Sequence, residues 1–132
     1  MKIGRSTGYA ILAACHIASD HKRRATMSQM ISREYDIPLE YLLKILQQLV
    51  KANILRSKRG PRGGFSLARP PKKITLLQII EAVDGPLLSQ MSIAEHANRA
   101  RFGARADKAL AKALSQTRDV FKKTTLADLI EG

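Results

Sequence analysis

The run "PLEYLLKILQQLVKAN", residues 38–53, restricts the fold of this chain more than any other stretch. At about 100° per residue its large apolar side chains fall within one arc, and its charged and amide side chains lie opposite. The apolar set is Leu39, Leu42, Ile45, Leu46, Leu49 and Val50, and the opposite set is Glu40, Lys44, Gln47 and Lys51. Proline is tolerated in the first turn of a helix but disfavours helical geometry in the residue before it. The run therefore predicts a helix that begins near Pro38, with one core face and one face open to a ligand.

Two further helices are predicted ahead of this run. Residues 6–20 repeat Ile11, Ala14, Cys15 and Ala18 at helical spacing, and the basic "HKRR" at 21–24 ends that pattern. Thr26 and Gln29 have the spacing of a capping box that would open a short helix before the break at Asp36. A short helix followed closely by an amphipathic one is typical of a helix-turn-helix motif, and it is also compatible with any other helical hairpin.

A basic, glycine-rich hairpin is predicted next. "ILRSKR" and "FSLAR" read as short strands, and Gly60, Gly63 and Gly64 provide the permissive backbone that a hairpin tip needs. Residues 54–73 hold seven Lys and Arg and no Asp or Glu. A hairpin directly after a helix-turn-helix is the wing of a winged helix, whose cations would contact DNA phosphates. A solvated loop is the alternative, but clustered cations without a counter-charge repel one another.

Composition limits the classes of function. The net charge of +12 and the pI near 10.4 favour a polyanionic partner, with nucleic acid ahead of anionic lipid or an acidic protein. With 132 residues, 45% of them hydrophobic, we expect one domain with its own core. The chain has no apolar run near 20 residues and no secretory leader, so we expect a cytoplasmic protein that does not use a membrane as partner.

The C-terminal part is nearly neutral and points to a second role. Thr75 and Gln78 form a capping-box spacing ahead of "LLQIIEAV", and Thr125 and Asp128 do so ahead of "LADLI". Residues 87–105 look like a linker into a last long helix over residues 106–121. Its apolar stripe is Ala109, Leu110, Ala113, Leu114, Val120 and Phe121. The stripe fits either the same stripe of a second copy, which would give a homodimer, or the helix's own domain.

These residues resemble the Rrf2 superfamily of bacterial winged-helix transcriptional regulators, which includes IscR, NsrR and CymR. The matching stretches are "STGYAI", "IPLEYLLKILQQLVKANIL", "SKRGPRGGFSLARPPKKITLLQIIEAVDGPL" and "TTLADLI", and they span nearly the whole chain in order. The resemblance implies a mostly α-helical fold with a small β-hairpin. A winged helix-turn-helix would occupy residues 1–85, and a linker and long dimerisation helix would occupy residues 86–132. It also implies a homodimer that binds palindromic promoter DNA.

The resemblance also assigns candidate DNA contacts. They lie near the start of the first predicted helix, in the second helix, at the start of the recognition helix and in the wing. In chain order they are Lys2, Arg5, Gln29, Pro38, Glu40, Tyr41, Lys44, Ser57, Lys58, Arg59, Arg62, Gly63 and Gly64. Where relatives often hold a small polar residue and a Glu-Gln pair, this chain has Pro38, Leu43 and Lys44, so its target sequence should differ from theirs. The candidate dimer contacts are Leu110, Ala113, Leu114, Val120 and Phe121.

The resemblance fails at the metal site. Many relatives hold an iron-sulfur cluster with three cysteines between the positions of Gly85 and Ala106, where this chain has none. Other relatives use ligands near the N-terminus, at positions that are Gly8 and Leu12 here. No histidine pair has the spacing of a closed metal site, so we expect no metal and no cofactor. Without a cluster, the signal that controls DNA binding would be a small molecule or a protein partner, or the protein would respond to no signal.

Cys15 is the only cysteine, and it is expected to be a small core residue. A redox role is the alternative, because the nearby "HKRR" would favour a thiolate.

The sequence thus predicts a sequence-specific transcriptional regulator, in the simplest case a repressor that occludes polymerase, and not an enzyme. Two alternatives stay open: a basic protein that binds nucleic acid without sequence choice, and a winged-helix module for protein interaction. The low aromatic content, 5%, disfavours the first, since base stacking needs aromatic rings, and the basic wing disfavours the second.

Overall fold

The computed structural model describes residues 2–20 and 25–131, and it is mostly helical with one antiparallel hairpin. The elements are α1 Arg5–Ser19, α2 Ser28–Tyr35, α3 Leu39–Lys51, β1 Leu55–Lys58, β2 Gly64–Leu67, a 3-10 turn Pro71–Lys73, α4 Leu76–Asp84, α5 Ile93–His96, α6 Arg101–Lys123 and α7 Leu126–Ile130. The predicted class, mostly α with a small β-hairpin, is confirmed. The predicted basic end of α1 at residues 21–24 lies outside the described residues.

Helix α1 lies at the centre of the core. It packs against α3, α4, α7 and β2, and its innermost residues are alanines at positions 10, 13 and 14 that have no exposed surface. Small side chains allow the surrounding helices to approach its backbone closely. Ile11 and Cys15, which were predicted for the buried stripe, are only partly buried. The buried residues of α1 differ from the predicted stripe because neighbouring elements cover this helix on several sides. A pattern that assumes one buried face cannot predict that.

The hinge between α2 and α3 is closed by local hydrogen bonds. Asp36 adopts the left-handed conformation with φ 52°, and the N–H of Ile37 donates to the carbonyl of Ser32 at 3.0 Å. The Ser32 hydroxyl donates to the carbonyl of Ile37 at 2.6 Å. Helix α3 then begins after Pro38, and Leu42, Ile45, Leu46 and Leu49 are buried, as its amphipathic pattern predicts.

The capping box predicted at Thr26 and Gln29 is wrong. Helix α2 has Met27 at its N-cap, and no side chain caps it. Thr26 is buried and pairs antiparallel with Phe65 of β2, each N–H donating to the other's carbonyl at 2.8 Å. The backbone of Thr26 thus extends the sheet by one residue. This long-range pairing outweighs the local capping pattern.

The other two capping boxes are confirmed, and they lie side by side. The N–H of Gln78 donates to the Thr75 hydroxyl at 3.1 Å, and the N–H of Asp128 donates to the Thr125 hydroxyl at 3.2 Å. Thr75 and Thr125 also form an isolated antiparallel bridge. The starts of α4 and α7 are therefore joined, and α7 closes the fold against α1.

The segment predicted as a linker is ordered. It contains α5 and the first turn of α6, which begins at Arg101 instead of residue 106. The Asp107 carboxylate accepts from the N–H groups of Ile93 and Ala94, each at 2.9 Å, and these bonds lower the pKa of Asp107. A Cβ on the buried Gly103 would lie 2.7 Å from the Cβ of Ala97. Gly103 and Asp107 stand one turn apart on α6, and together they dock α5.

Candidate nucleic-acid interface

The outer face of α3 presents polar side chains to solvent. Glu40, Tyr41, Lys44, Gln47 and Gln48 are exposed, and Leu43 beside them is partly buried against the core. This is the arrangement in which a recognition helix reads base edges in the major groove. Gln48 was not among the predicted contacts, although its position one turn beyond Lys44 signals it. Leu43 can offer only part of its surface to a thymine methyl group.

Tyr41 connects the recognition helix to α1. Its ring packs edge-on against Tyr9 with the centroids 5.8 Å apart, and its hydroxyl is hydrogen-bonded to that of Ser6. Both contacts hold the N-terminal turn of α3 in place. The structure therefore gives Tyr41, predicted as a DNA contact, a positioning role as well.

The wing places its cations at an open tip. Strands β1 and β2 pair in register from Leu55 opposite Leu67 to Lys58 opposite Gly64, and the side chains of Lys58, Arg59 and Arg62 are exposed. Across residues 2–20 and 25–131 none of these three cations has an ion-pair partner. Ser57, also predicted as a contact, is exposed on β1. The tip is therefore a concentrated positive surface available to phosphates.

The two wing glycines predicted as DNA contacts have a structural role. The N–H of Gly63 donates to the carbonyl of Gly60 at 2.8 Å and closes the tip, and a Cβ on Gly63 would lie 2.3 Å from the carbonyl oxygen of Lys58. Gly64 has φ +144°, and a Cβ there would lie 2.4 Å from the carbonyl oxygen of Thr26. The fold alone therefore requires glycine at both positions, independently of any contact with DNA.

The remaining predicted contacts are Arg5 at the start of α1, Gln29 in α2 and Lys2, which precedes α1. Arg5 and Gln29 are exposed, and Gln29 also accepts from the Ser28 hydroxyl at 3.3 Å. Lys2 is exposed but lines a groove with Asp84 of α4 and Phe121 of α6. The groove that Lys2 lines is thus formed with residues of α4, α6 and the segment after α4, and not with the recognition helix or the wing.

The predicted dimer stripe of α6 is divided between two sides of the helix. Ala113, Leu110 and Val120 are exposed, with Val120 at 62%. Leu114 and Phe121 are partly buried, and Phe121 lines the groove beside α4. The alternative in which the helix packs on its own domain therefore holds for part of the stripe. Phe102, which is 70% exposed, was missed because the helix was predicted to begin after it.

Cys15 lies partly buried in a shallow groove beside Leu12 and His16. Burial raises the pKa of the Cys15 thiol, which is the opposite of the lowered pKa that a reactive thiolate needs. The Nδ1 of His16 is hydrogen-bonded to the Tyr35 hydroxyl at 2.8 Å. The geometry therefore favours a packing role for Cys15.

The chain matches the model of one protein family over residues 3–132, and that family is described as Rrf2, iron-dependent transcriptional regulator. It belongs to the Rrf2 family. A protein of Aquifex aeolicus (strain VF5), named as an HTH-type transcriptional regulator, is 33% identical over 125 residues, which are 92% of this chain and 86% of that protein. The HTH-type transcriptional regulator IscR of Cereibacter sphaeroides is 34% identical over 86 residues, 64% of this chain and 56% of IscR.

A solved structure extends the comparison to the fold. CymR (YrzC), the global cysteine regulator of B. subtilis, superposes with a TM-score of 0.76 and 26% identity over 99% of this chain and 97% of CymR. The hairpin after α3 is therefore the wing of a winged helix, and this Rrf2 protein is a DNA-binding transcriptional regulator. Members of the family act as regulators and not as enzymes.

The iron dependence in the family description does not fit this member's donor set. Its one cysteine is in α1, and in the segment between α4 and α6 the only carboxylate and imidazole side chains are those of Glu95 and His96. Within the described ranges, 2–20 and 25–131, no group of three His, Cys, Asp or Glu residues is close enough to hold a metal ion. With a single cysteine, the chain lacks the set of thiolate ligands that a cysteine-held iron-sulfur cluster needs. In the same ranges no helix combines the length and the apolar character needed to cross a membrane.

Proposed function

We propose that this regulator is a homodimeric repressor that recognises a palindromic promoter sequence without an iron-sulfur cluster. The observation that carries the proposal is the pairing of two exposed surfaces on consecutive elements. Lys44 and its neighbours line the outer face of α3, and the exposed cations of the wing tip lie at the far end of β1, the next element along the chain. Because only a short turn and one four-residue strand separate the two surfaces, they can engage the same stretch of duplex.

The two surfaces would do different work. Lys44, Gln47 and Gln48 have the donors and acceptors needed to read guanine or adenine edges in a major groove. Lys58, Arg59 and Arg62 would contact phosphates and, where the minor groove is narrow, read its width. Sequence choice would therefore come from α3, and most of the affinity and its salt dependence from the wing.

The exposed edge of α6 supports the dimer in this proposal. Phe102 and Val120 are large apolar residues at opposite ends of a 23-residue helix, and they are 70% and 62% exposed. A second copy of the same edge would bury both. Two-fold symmetry then presents two recognition helices to two half-sites in opposite orientation, which matches a palindrome. A dimer seated on promoter DNA blocks polymerase sterically, so repression is the simplest outcome. A promoter target would also require a cytoplasmic location, as the sequence predicts.

One experiment tests the proposal directly. Purified, metal-free protein is used to select from a random duplex-DNA pool at near-physiological salt. We expect enrichment of a palindrome with half-sites about one helical turn apart, because each recognition helix reads one half-site. Placed over a promoter, that palindrome should make transcription in vitro sensitive to the protein.

The alternative function predicts a different result. If the wing alone drives binding, the pool is retained in a salt-sensitive way and no sequence is enriched. That outcome would replace the proposed specific regulator with a non-specific nucleic-acid-binding protein.

A further inference from the structure

Arg69 lies just beyond the end of β2, is partly buried, and bonds to three different segments. Its Nε donates to the carbonyl of Asn53 at 3.2 Å, in the turn between α3 and β1. Its Nη1 donates to the carbonyl of Lys73 at 3.1 Å, at the end of the 3-10 turn. Its Nη2 donates to the side-chain oxygen of Gln78 in α4 at 3.5 Å. One guanidinium therefore joins both ends of the wing to α4.

The contact with Asn53 lies where the recognition helix ends. Asn53 has φ 61°, and the N–H of Ile54 donates back to the carbonyl of Leu49 at 3.0 Å, which closes the end of α3. A cation beside the last carbonyls of a helix is favoured by the helix dipole. Asn53 also sets the direction in which the chain leaves α3 and enters β1. Arg69 thus contacts the backbone at the point where the chain turns from the recognition helix into the wing.

The contact with Gln78 connects this corner to the rest of the molecule. Gln78 completes the capping box of α4, since its side-chain oxygen also accepts from the N–H of the N-cap residue Thr75 at 2.9 Å. One turn further along α4, the carboxylate of Glu81 accepts from Arg118 of α6 at 2.9 Å. The same carboxylate oxygen accepts from the N–H of Leu87 at 3.1 Å. Helix α4 is therefore bonded to the DNA-reading elements through Gln78 and to α6 through Glu81.

We propose that Arg69 is a positioning residue for DNA recognition, one that fixes α3 and the wing relative to α4 and, through α4, relative to α6. This proposal rests on the proposed function, because the effect of changing Arg69 is measured as a change in DNA binding. Arginine is needed because its donors are arranged in a planar fork that reaches three acceptors at once. A lysine would retain the charge but reach one of them.

That difference separates positioning from direct binding to a phosphate. Arg69→Lys and Arg69→Ala are compared with the wild-type protein on the selected palindrome. If Arg69 positions the wing, both variants lose affinity to a similar degree, about tenfold, and both show a flatter salt dependence because wing cations leave their phosphates. If Arg69→Lys instead retains the affinity and salt dependence of the wild type, Arg69 acts only through its charge and the proposal is overturned.

A measurement without DNA tests the inference independently of the proposed function. In hydrogen exchange, the amides of Ile54 and Ala68, which donate to the carbonyls of Leu49 and Ile54, should exchange at least several-fold faster in Arg69→Lys. Arg56→Lys is the matched control, because Arg56 is an exposed arginine on β1 whose side chain makes no hydrogen bond to any other described residue. Equal exchange in the two variants would contradict the positioning role.

A second variant avoids any loss of stability. Gln78→Glu preserves the capping box, since glutamate is also favoured three residues into a helix, and it gives Arg69 a charged acceptor. We expect slower exchange at the same two amides. Unchanged or faster exchange in this variant would show that the hydrogen bond from Arg69 to Gln78 does not hold the wing. If the wild-type protein enriches no sequence while these exchange effects appear, the proposed function fails and the positioning role stands.

Discussion

Gly64 combines a backbone conformation and a close approach that other residues cannot reproduce. Its φ of +144° lies in a region that side-chain-bearing residues rarely adopt, and its position leaves room for the carbonyl oxygen of Thr26. That room allows the buried bridge between Thr26 and Phe65, which ties the start of α2 to the wing. One glycine therefore connects the helix-turn-helix with the hairpin.

Gly64→Ala should destabilise the protein by about 2–4 kcal/mol, because backbone strain adds to a clash with backbone atoms that cannot move aside. The free energy of unfolding is measured by urea denaturation. Gly8→Ala is the control, since Gly8 is an exposed residue in α1, and apart from its chain neighbours and the backbone of its own helix no atom of the described residues lies within 4 Å of the added Cβ. Alanine is the better helix former, so this control should gain up to about 1 kcal/mol. Equal stability of the two variants would show that the close approach at Gly64 does not matter for folding.

At the scale of elements, the sequence predicted those features that are decided within a few residues. The capping boxes at Thr75 and Thr125 and the core face of α3 are local patterns, and they are confirmed. The same capping spacing at Thr26 was wrong because Phe65, far along the chain, uses its backbone. The start of α6 was misplaced because Asp107 bonds to α5. Long-range hydrogen bonds leave no periodic signal in a sequence.

The candidate site shows the same division. The exposed cations of the wing and the polar face of α3 follow from composition and period, and both are where the sequence puts them. The roles of Gly63 and Gly64 in packing, and the three bonds of Arg69, depend on segments that meet only in the folded chain. Sequence therefore indicates which elements carry the exposed polar and basic side chains, and the structure adds what holds those elements in position.

The wing as an element should determine the salt dependence of binding. Replacing Lys58, Arg59 and Arg62 with glutamine should reduce the slope of log K against log salt by about one unit for each phosphate that is no longer neutralised. Affinity for all duplex sequences should fall together, because phosphates carry no sequence information. Binding is measured by fluorescence anisotropy over a range of salt concentrations.

Helix α6 supplies a control of equal charge. Arg101, Lys108 and Lys112 are exposed along one side of α6, and among the described residues none has an ion-pair partner. Their replacement with glutamine changes the net charge by the same amount at a site away from the wing. The slope should then stay near that of the wild type. A control slope that falls as far as the wing slope would mean that net charge, and not the wing, sets the affinity.

At the scale of the whole molecule, α6 carries an exposed edge with the spacing of a helix pair. At about 100° per residue Phe102, Ala106, Ala109, Ala113 and Val120 fall within about 60° of one another. The three alanines allow close approach at the middle of the edge, and the two large residues stand at its ends. In an antiparallel pair, Phe102 of one copy would meet Val120 of the partner. The geometry of α6 thus favours a two-fold dimer with one self-complementary surface.

Phe102→Asp combined with Val120→Asp should convert the dimer into monomers, because each carboxylate would be buried without a partner at a cost of several kcal/mol. Both residues are largely exposed in one protomer, at 70% and 62%, so the folded protomer should survive. Sedimentation equilibrium gives the mass, and circular dichroism checks the helix content. Ala104→Asp with Ser115→Asp adds the same charge to exposed positions on the other side of α6 and should remain dimeric.

Monomers should bind half-sites weakly and the full palindrome without cooperativity, since one recognition helix then acts alone. A double variant that stays dimeric would move the interface elsewhere and would also remove the α6 edge as the basis for palindromic recognition.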